Sequence, residues 1–170
     1  MTSLDYANPD RFVAGTVGEP GQRTFYLQVR QDDRITSVTC EKTQVAMLAE
    51  RLAVMLDAVR AGGRDEVPQE PPPELKDNGP LDLPLEEEFR VAELSLVWDD
   101  TTGLVLIEAR AEAESDEDLL QVRLRPGPAR EFIRRSLALV SAGRPPCPFC
   151  QQPLDPEGHI CPRRNGYRRR

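Results

Sequence analysis

Three of the four cysteines and the only histidine of this 170-residue chain stand close together near its C-terminal end. They are Cys147 and Cys150, with two residues between them, followed by His159 and Cys161. Thiolate and imidazole groups at these spacings can converge on one tetrahedral ion, and four such ligands leave no open coordination position. The cluster therefore predicts a structural Zn²⁺ site rather than a catalytic one.

Two other interpretations of the cluster remain open. The segment could be reduced and free of metal, or Cys147 and Cys150 could act as a redox pair. The redox interpretation is the weaker one, because thioredoxin-like pairs stand at the start of a helix that follows a strand. This pair instead follows a proline-rich segment, residues 143–146.

The cellular compartment that the sequence predicts also favours metal binding by the cysteines over disulfide formation. No basic leader precedes an apolar run, and no apolar stretch approaches the roughly 20 residues that a membrane span needs. We therefore expect a cytoplasmic protein that does not associate with membranes. In that reducing compartment, clustered cysteines bind metal more often than they form disulfides.

Charge divides the chain into an acidic body and a basic end. The net charge is −7, yet the last eight residues contain five arginines and no acid. Without those five, 17 basic and 29 acidic side chains remain, a net charge of −12. The basic end could contact a nucleic acid or an acidic protein surface. Its candidate contact residues are Arg163, Arg164, Tyr167, Arg168, Arg169 and Arg170.

The elements that precede the cluster form a repeating pattern. Residues 12–17, 23–30 and 35–40 alternate or are rich in β-branched residues, and short turns separate them, which predicts an antiparallel meander. The next apolar side chains recur at helical spacing as far as Gly62. They are Val45, Leu48, Leu52, Met55, Leu56 and Val59.

The same order of elements is predicted again after a proline-rich and acidic segment. Residues 89–98 form one strand, with a bulge where the apolar phase shifts, and strands over 104–112 and 119–125 follow. A helix then begins at Pro126, because proline is tolerated at a first helical position. Its apolar face holds Ala129, Phe132, Ile133, Leu137 and Val140.

The sequence thus predicts an α+β fold built from duplicated βββα units. The first unit covers residues 1–61, with a frayed lead-in over residues 1–10, and the second unit covers residues 89–143. An extended linker, residues 62–88, joins them because proline at this density disfavours regular structure. Residues 144–170 form a zinc knuckle and an arginine-rich tail.

Few other residues point to chemistry. Cys40 stands between a predicted strand and a helix, where its thiol pKa could be lowered, but a buried structural cysteine is the favoured interpretation. Asp99 and Asp100 could bind Mg²⁺ or act with Glu108 or Glu112, yet a polar hairpin turn explains them more simply. No phosphate-binding loop, dinucleotide fingerprint or metalloprotease motif occurs.

The whole pattern resembles a known family. The duplicated body and the terminal cysteine and histidine motif, with Pro153, Gly158 and the pair Asn165-Gly166, resemble an actinobacterial family of conserved repeat proteins. The resemblance implies gene neighbours of the histidine-phosphatase and kinase type, but no catalytic residue. A more distant architectural similarity is to single-strand binders of the Whirly and Pur-alpha type, whose units have four strands each.

Three functions follow as hypotheses. The first is a non-catalytic zinc-containing adaptor that binds a protein partner, because no catalytic set is evident and the metal site is closed. The second is a single-stranded nucleic-acid binder that uses the zinc knuckle and the arginine-rich tail. The third is a phosphate-handling enzyme or enzyme subunit that uses Asp99 and Asp100.

Overall fold

The structure, a computed structural model, describes residues 3–19, 21–112 and 118–142 and has an α+β fold. The described residues form eight strands, two α helices and one short 3-10 helix, Pro73–Leu75. The strands are β1 Ser3–Tyr6, β2 Arg11–Val17, β3 Thr24–Gln31, β4 Arg34–Cys40, β5 Glu87–Arg90, β6 Glu93–Asp99, β7 Leu104–Arg110 and β8 Leu119–Leu124. The helices are α1 Lys42–Ala61 and α2 Pro126–Ser141. The predicted fold class and both predicted meanders with their following helices are confirmed.

The strands form two four-stranded sheets that exchange a strand. The first sheet has the order β2-β3-β4-β5 and the second has the order β1-β8-β7-β6. Three strands of each sheet form an antiparallel meander, and the fourth strand joins in parallel from the other half of the chain. Parallel neighbours need a long crossover connection. Between β4 and β5 that connection contains α1 and the proline-rich segment, and between β1 and β8 it contains α1 and six strands. The exchange ties the two halves together.

The two halves are related by an internal pseudo-twofold repeat. The hairpin of β2 and β3 corresponds to that of β6 and β7, and each has seven paired positions. A backbone hydrogen bond just before each edge strand recurs as well. Asp10 N donates to Arg30 O before β2, and Ala92 N donates to Arg110 O before β6, both at 2.8 Å. The repeat therefore extends to the backbone geometry of each edge strand.

Two local expectations were wrong. The N-terminal lead-in is not frayed, because residues 3–6 form β1 and pair with β8. Residues 89–98 are not one bulged strand, because β5 ends at Arg90 and β6 begins at Glu93. The shift of apolar phase marks the point where the chain leaves one sheet and enters the other.

One hydrophobic core includes both sheets and both helices. The helices pack against each other, and each also runs along an edge strand of the other half of the chain, α2 along β2 and α1 along β6. In α1 the predicted stripe is buried at Val45, Leu48, Leu52 and Leu56. No helix among the described residues is long and apolar enough to cross a membrane.

The segment between α1 and β5 is irregular, apart from its 3-10 helix, but it is packed against the body. Val67 is fully buried, and Arg130 of α2 donates to the Pro68 carbonyl oxygen at 2.7 Å. The predicted proline-rich linker therefore contributes to the packed structure rather than spanning open solvent.

Candidate functional site

The pseudo-twofold repeat creates two equivalent grooves, each between a helix and an edge strand. We call the one between α2 and β2 the closed groove and the one between α1 and β6 the open groove. In the closed groove the rings of Phe12 and Phe132 stack with centroids 4.7 Å apart. The equivalent residues in the open groove are Leu94 and Leu48. Two leucines fill less space than two stacked rings, and a cavity of about 470 Å³ lies between α1 and β6.

The open groove is mainly apolar. Its lining residues are Gln44, Met47, Leu48, Arg51 and Met55 of α1 and Ala92, Glu93, Leu94, Ser95 and Leu96 on the strand side. At one end Gln44 donates its side-chain amide to the Val91 carbonyl oxygen at 3.3 Å. Met47 is 48% exposed at the rim. Methionine side chains are flexible and polarizable, so they can adapt to different apolar ligands.

The strand side of the open groove is the edge of a sheet, since β7 is the one strand that pairs with β6 among the described residues. Alternate residues of an edge strand direct their N–H and C=O groups outward, where another strand can pair with them. In the closed groove, Arg135 Nε donates to the outward carbonyl oxygen of Ala14 at 2.8 Å. The equivalent carbonyl in the open groove belongs to Leu96.

A segment of the linker covers the closed groove. Asp77 accepts hydrogen bonds from Arg11 at 2.7 and 3.0 Å and from Arg135 at 3.2 Å. Its backbone N–H donates to Glu131 of α2 at 2.8 Å. The hydrogen bonds from Arg11 are the main reason why the pKa of Asp77 is lowered, although partial burial opposes them. These contacts fix the segment across α2 and β2.

The same segment continues over the outer face of the first sheet. Asp82 pairs with Arg11 and Arg30, and Gln28 exchanges hydrogen bonds with the backbone of Asp82 at 2.7 and 3.0 Å. Leu81 lies against Gly15, where a Cβ would meet its side chain at 2.5 Å. This segment of the linker buries Gln28. In the second sheet the residue equivalent to Gly15 is Val97 of β6, and its side chain is 49% exposed.

Arg51 in the open groove is equivalent to Arg135 in the closed one. The equivalence follows from the buried positions of the two helices, because Leu48 and Leu52 of α1 correspond to Phe132 and Ser136 of α2. Arg51 is exposed, and it forms no ion pair with any residue that the structure describes. It is an available cation beside an apolar surface.

The predicted metal site and the predicted basic contact residues are not covered by the structure. Cys147, Cys150, His159 and Cys161 lie outside the described residues, and so do Arg163, Arg164, Tyr167, Arg168, Arg169 and Arg170. Within residues 3–19, 21–112 and 118–142, no group of three or more histidine, cysteine or acidic side chains is placed to hold a metal ion.

The carboxylates of the β6–β7 hairpin have structural partners. Asp99 accepts the Thr101 backbone N–H at 2.9 Å, and this bond is the main cause of its lowered pKa. Asp100 accepts from Trp98 Nε1 at 3.2 Å and pairs with Arg64 at 2.9 Å, which together lower its pKa. Both groups are exposed, so the hairpin-turn interpretation of this pair is the one that the structure supports.

Glu108 and Cys40, the other residues considered for chemistry, also have structural roles. Glu108 accepts from Gln121 at 2.7 Å and from Ser95 at 3.3 Å on the outer face of the second sheet. Cys40 is 4% exposed, and burial raises the pKa of its thiol to about 12. A thiol with such a pKa is protonated at neutral pH and is a poor nucleophile. The favoured interpretation of Cys40 as a buried structural residue is confirmed.

Sequence reasoning did not find the open groove. It placed Leu48 and Met55 on the helix stripe and Leu94 and Leu96 on a strand, but the groove exists only because α1 passes an edge strand from the other half of the chain. One local signal was present: Met47 is a large apolar residue outside the predicted stripe. Single exposed apolar residues are common on protein surfaces, so this signal alone could not have identified the groove.

The exchanged sheets and shared core define a duplicated α+β protein whose two halves could not separate without breaking both sheets. The chain belongs to the DUF3090 family, described as a protein of unknown function, whose model matches residues 4–161. The match ends at Cys161 and leaves out the arginine-rich residues 163–170. No curated protein and no solved structure matches the chain.

Proposed function

We propose that this protein is a non-catalytic adaptor that binds an extended segment of a partner protein in the open groove. The observation that carries the proposal is the contrast between two equivalent grooves: one is closed by stacked rings and covered by the chain's own linker, and the other is uncovered among the described residues. A groove between a helix and a free strand edge offers both backbone pairing and apolar contacts to a peptide.

The composition of the groove supports binding rather than chemistry. The polar side chains that line it are Gln44, Arg51, Glu93 and Ser95. They include no histidine and no thiol to activate or act as a nucleophile. The groove also lies apart from the hairpin carboxylates Asp99 and Asp100, whose hydrogen bonds maintain a turn.

Affinity capture with matched variants tests this function. Met47→Glu places a charge on the rim of the groove, and Val54→Glu places the same charge on α1 outside it, where Val54 is 68% exposed. Neither substitution removes a buried contact. We expect a specific protein to be captured by the wild type and by Val54→Glu and lost with Met47→Glu. Equal capture by both variants would exclude the groove as the binding site.

The same capture should be repeated after deletion of residues 163–170, with bound RNA also identified. If the main ligand is RNA, and if this deletion removes it while Met47→Glu does not, the single-stranded nucleic-acid hypothesis replaces the adaptor. Candidate protein partners include the histidine-phosphatase-like and kinase-like neighbours that the sequence resemblance implies.

We also propose that Cys147, Cys150, His159 and Cys161 bind one structural Zn²⁺. The support is the spacing of the four ligands, which suits a closed tetrahedral site. We expect one zinc per chain by elemental analysis and its loss in Cys147→Ser, with little change in unfolding of the body because the body has its own core. Loss of the cooperative unfolding transition of the body would contradict this independence.

A further inference from the structure

We propose that the segment bound in the open groove is extended and acidic, with one carboxylate that pairs with Arg51 and a backbone that pairs with the outward edge of β6. This inference rests on the proposed function, because it specifies what the groove binds. The acid is inferred from the closed groove, where a segment of the chain itself lies across a helix and an edge strand of this fold. The backbone pairing is inferred from the edge of β6, which has no second neighbouring strand among the described residues.

The closed groove provides the template. There Arg135 makes two kinds of contact at once, since its Nε donates to the Ala14 carbonyl oxygen at 2.8 Å and its Nη1 donates to Asp77 Oδ1 at 3.2 Å. Arg135 also donates to the Asp77 backbone carbonyl oxygen at 3.0 Å. One guanidinium therefore connects a strand edge to both the carboxylate and the backbone of the covering segment, which its fixed fork of donors allows.

Arg51 can play the same part in the open groove. It occupies the helix position equivalent to Arg135, and the carbonyl of Leu96 is equivalent to that of Ala14. Because Arg51 has no carboxylate partner among the described residues, an incoming acidic side chain would gain an ion pair without breaking one. Within the part of the chain that the structure describes, no acidic competitor has to be displaced first.

The differences between the grooves set limits on the ligand. Arg11, which also holds Asp77 in the closed groove, corresponds to Glu93, and Arg134 corresponds to Glu50. A second carboxylate near Arg51 would therefore meet acidic side chains, so the groove favours a single acid. Met47 replaces Glu131, which removes an acceptor for the backbone of the segment and adds apolar surface.

The presence of Met47 in place of Glu131 indicates which other groups of the ligand the open groove contacts. Leu48, Leu94, Leu96 and the two methionines offer apolar surface to the side chains that flank the acid. In the closed groove Glu131 accepts a backbone N–H of the covering segment. The open groove has no such acceptor at Met47, so we expect the backbone N–H groups of the ligand to pair with the outward carbonyl groups of β6. The expected ligand is an extended strand in which apolar side chains surround one Asp or Glu.

A library of random linear peptides selected against the full chain tests this inference. Selected peptides are synthesised, and their affinities are measured by fluorescence anisotropy. We expect them to share one Asp or Glu between apolar residues. We expect binding to weaken about tenfold in Arg51→Gln, the scale of one charged hydrogen bond. Arg125→Gln serves as the matched control, since Arg125 is an exposed arginine outside the groove.

The outcomes separate the inference from the proposed function. Peptides that lose binding in Met47→Glu but carry no acid and ignore Arg51→Gln would overturn the acidic ligand and leave the groove as a binding site. Peptides that bind equally to wild type, Met47→Glu and Val54→Glu would overturn both. Replacement of the peptide acid by its amide should weaken wild-type binding about tenfold and should have little effect in Arg51→Gln.

Discussion

The closed and open grooves share one backbone design but differ in what covers them. In the closed groove, stacked aromatic rings and an ion cluster hold the linker against α2 and β2. In the open groove, leucines and methionines face a cavity, and one arginine stands without an acidic partner among the described residues. The comparison teaches how internal duplication could supply a binding site, because a segment of the chain covers the groove of one copy and no described residue covers that of the other.

A small number of side chains accounts for the difference. Phe132 and Phe12 bring α2 and β2 into contact, and Asp77 pairs with two neighbouring arginines, Arg11 and Arg135. Neither Leu48 nor Leu94 is large enough to close the equivalent gap. The stability of the protein should therefore depend on the closed groove, and its binding should depend on the open one.

The largest expected difference between the two grooves is in stability, when the equivalent residues Phe132 and Leu48 are each replaced by alanine. Phe132→Ala should lower the free energy of unfolding by about 3 to 5 kcal/mol, because it leaves a sealed cavity and removes the stacked partner of Phe12. Leu48→Ala should cost less, about 2 to 3 kcal/mol, because its void can open into the groove. Urea unfolding measures both. A larger loss for Leu48→Ala would break the comparison.

The next effect concerns the ion cluster. Asp77→Asn should cost about 2 kcal/mol, below the full cost of breaking a buried ion pair because Asp77 is 27% exposed. Its lowered pKa means that the ionised carboxylate stabilises the fold above the unfolded-state pKa of about 3.9. That stabilisation is lost as pH falls through the lower folded-state pKa.

Unfolding measured at several pH values tests the sign of this effect. The gap between wild type and Asp77→Asn should be constant near neutral pH and should close in acid. Asp100→Asn is a suitable control, because Asp100 also has a lowered pKa but is exposed on a hairpin. A pH-independent gap for Asp77→Asn would mean that its hydrogen-bond geometry matters rather than its charge.

A smaller effect is expected where the linker covers the sheet. Gly15→Ala should cost about 1 to 2 kcal/mol, because the new methyl group would displace Leu81 from the outer face of β2. Val97→Ala at the equivalent position of β6 should cost less than about 0.5 kcal/mol, as expected for an exposed site. Equal effects in thermal unfolding would indicate that the linker does not stabilise this face.

The smallest expected effect is a near absence of reaction at Cys40. Burial raises the pKa of its thiol to about 12, so thiolate is scarce at pH 8 and the sulfur is shielded. Peptide mapping after brief treatment with iodoacetamide should find Cys40 unmodified in the folded chain and modified in urea. Rapid modification of Cys40 in the native chain would contradict its structural role.

Much of the fold could be predicted from local patterns. The alternation in residues 23–30 and the helical spacing from Val45 to Val59 identified elements that the structure contains, because their side chains face one shared core. The exchanged strands were beyond such reasoning. Residues 3–6 are too few for a clear period, and their pairing with β8 is a contact between distant parts of the chain.

The candidate site was less predictable than the fold. The open groove depends on the placement of α1 beside β6, which no spacing within either element reports. The role of Asp77 was hidden for the same reason, since a proline-rich acidic segment has the composition of a solvated linker. Only the positions of Arg11 and Arg135 in space show why this segment packs against the body.

Amide hydrogen exchange, with and without a selected peptide bound, tests most directly whether the open groove is the binding site. The account predicts slower exchange in residues 92–96 and 47–55 when the peptide is bound, because the peptide covers α1 and pairs with β6. It predicts no change in residues 11–17, since β2 is already covered. Protection confined to residues 11–17, or to strands away from β6, would contradict it.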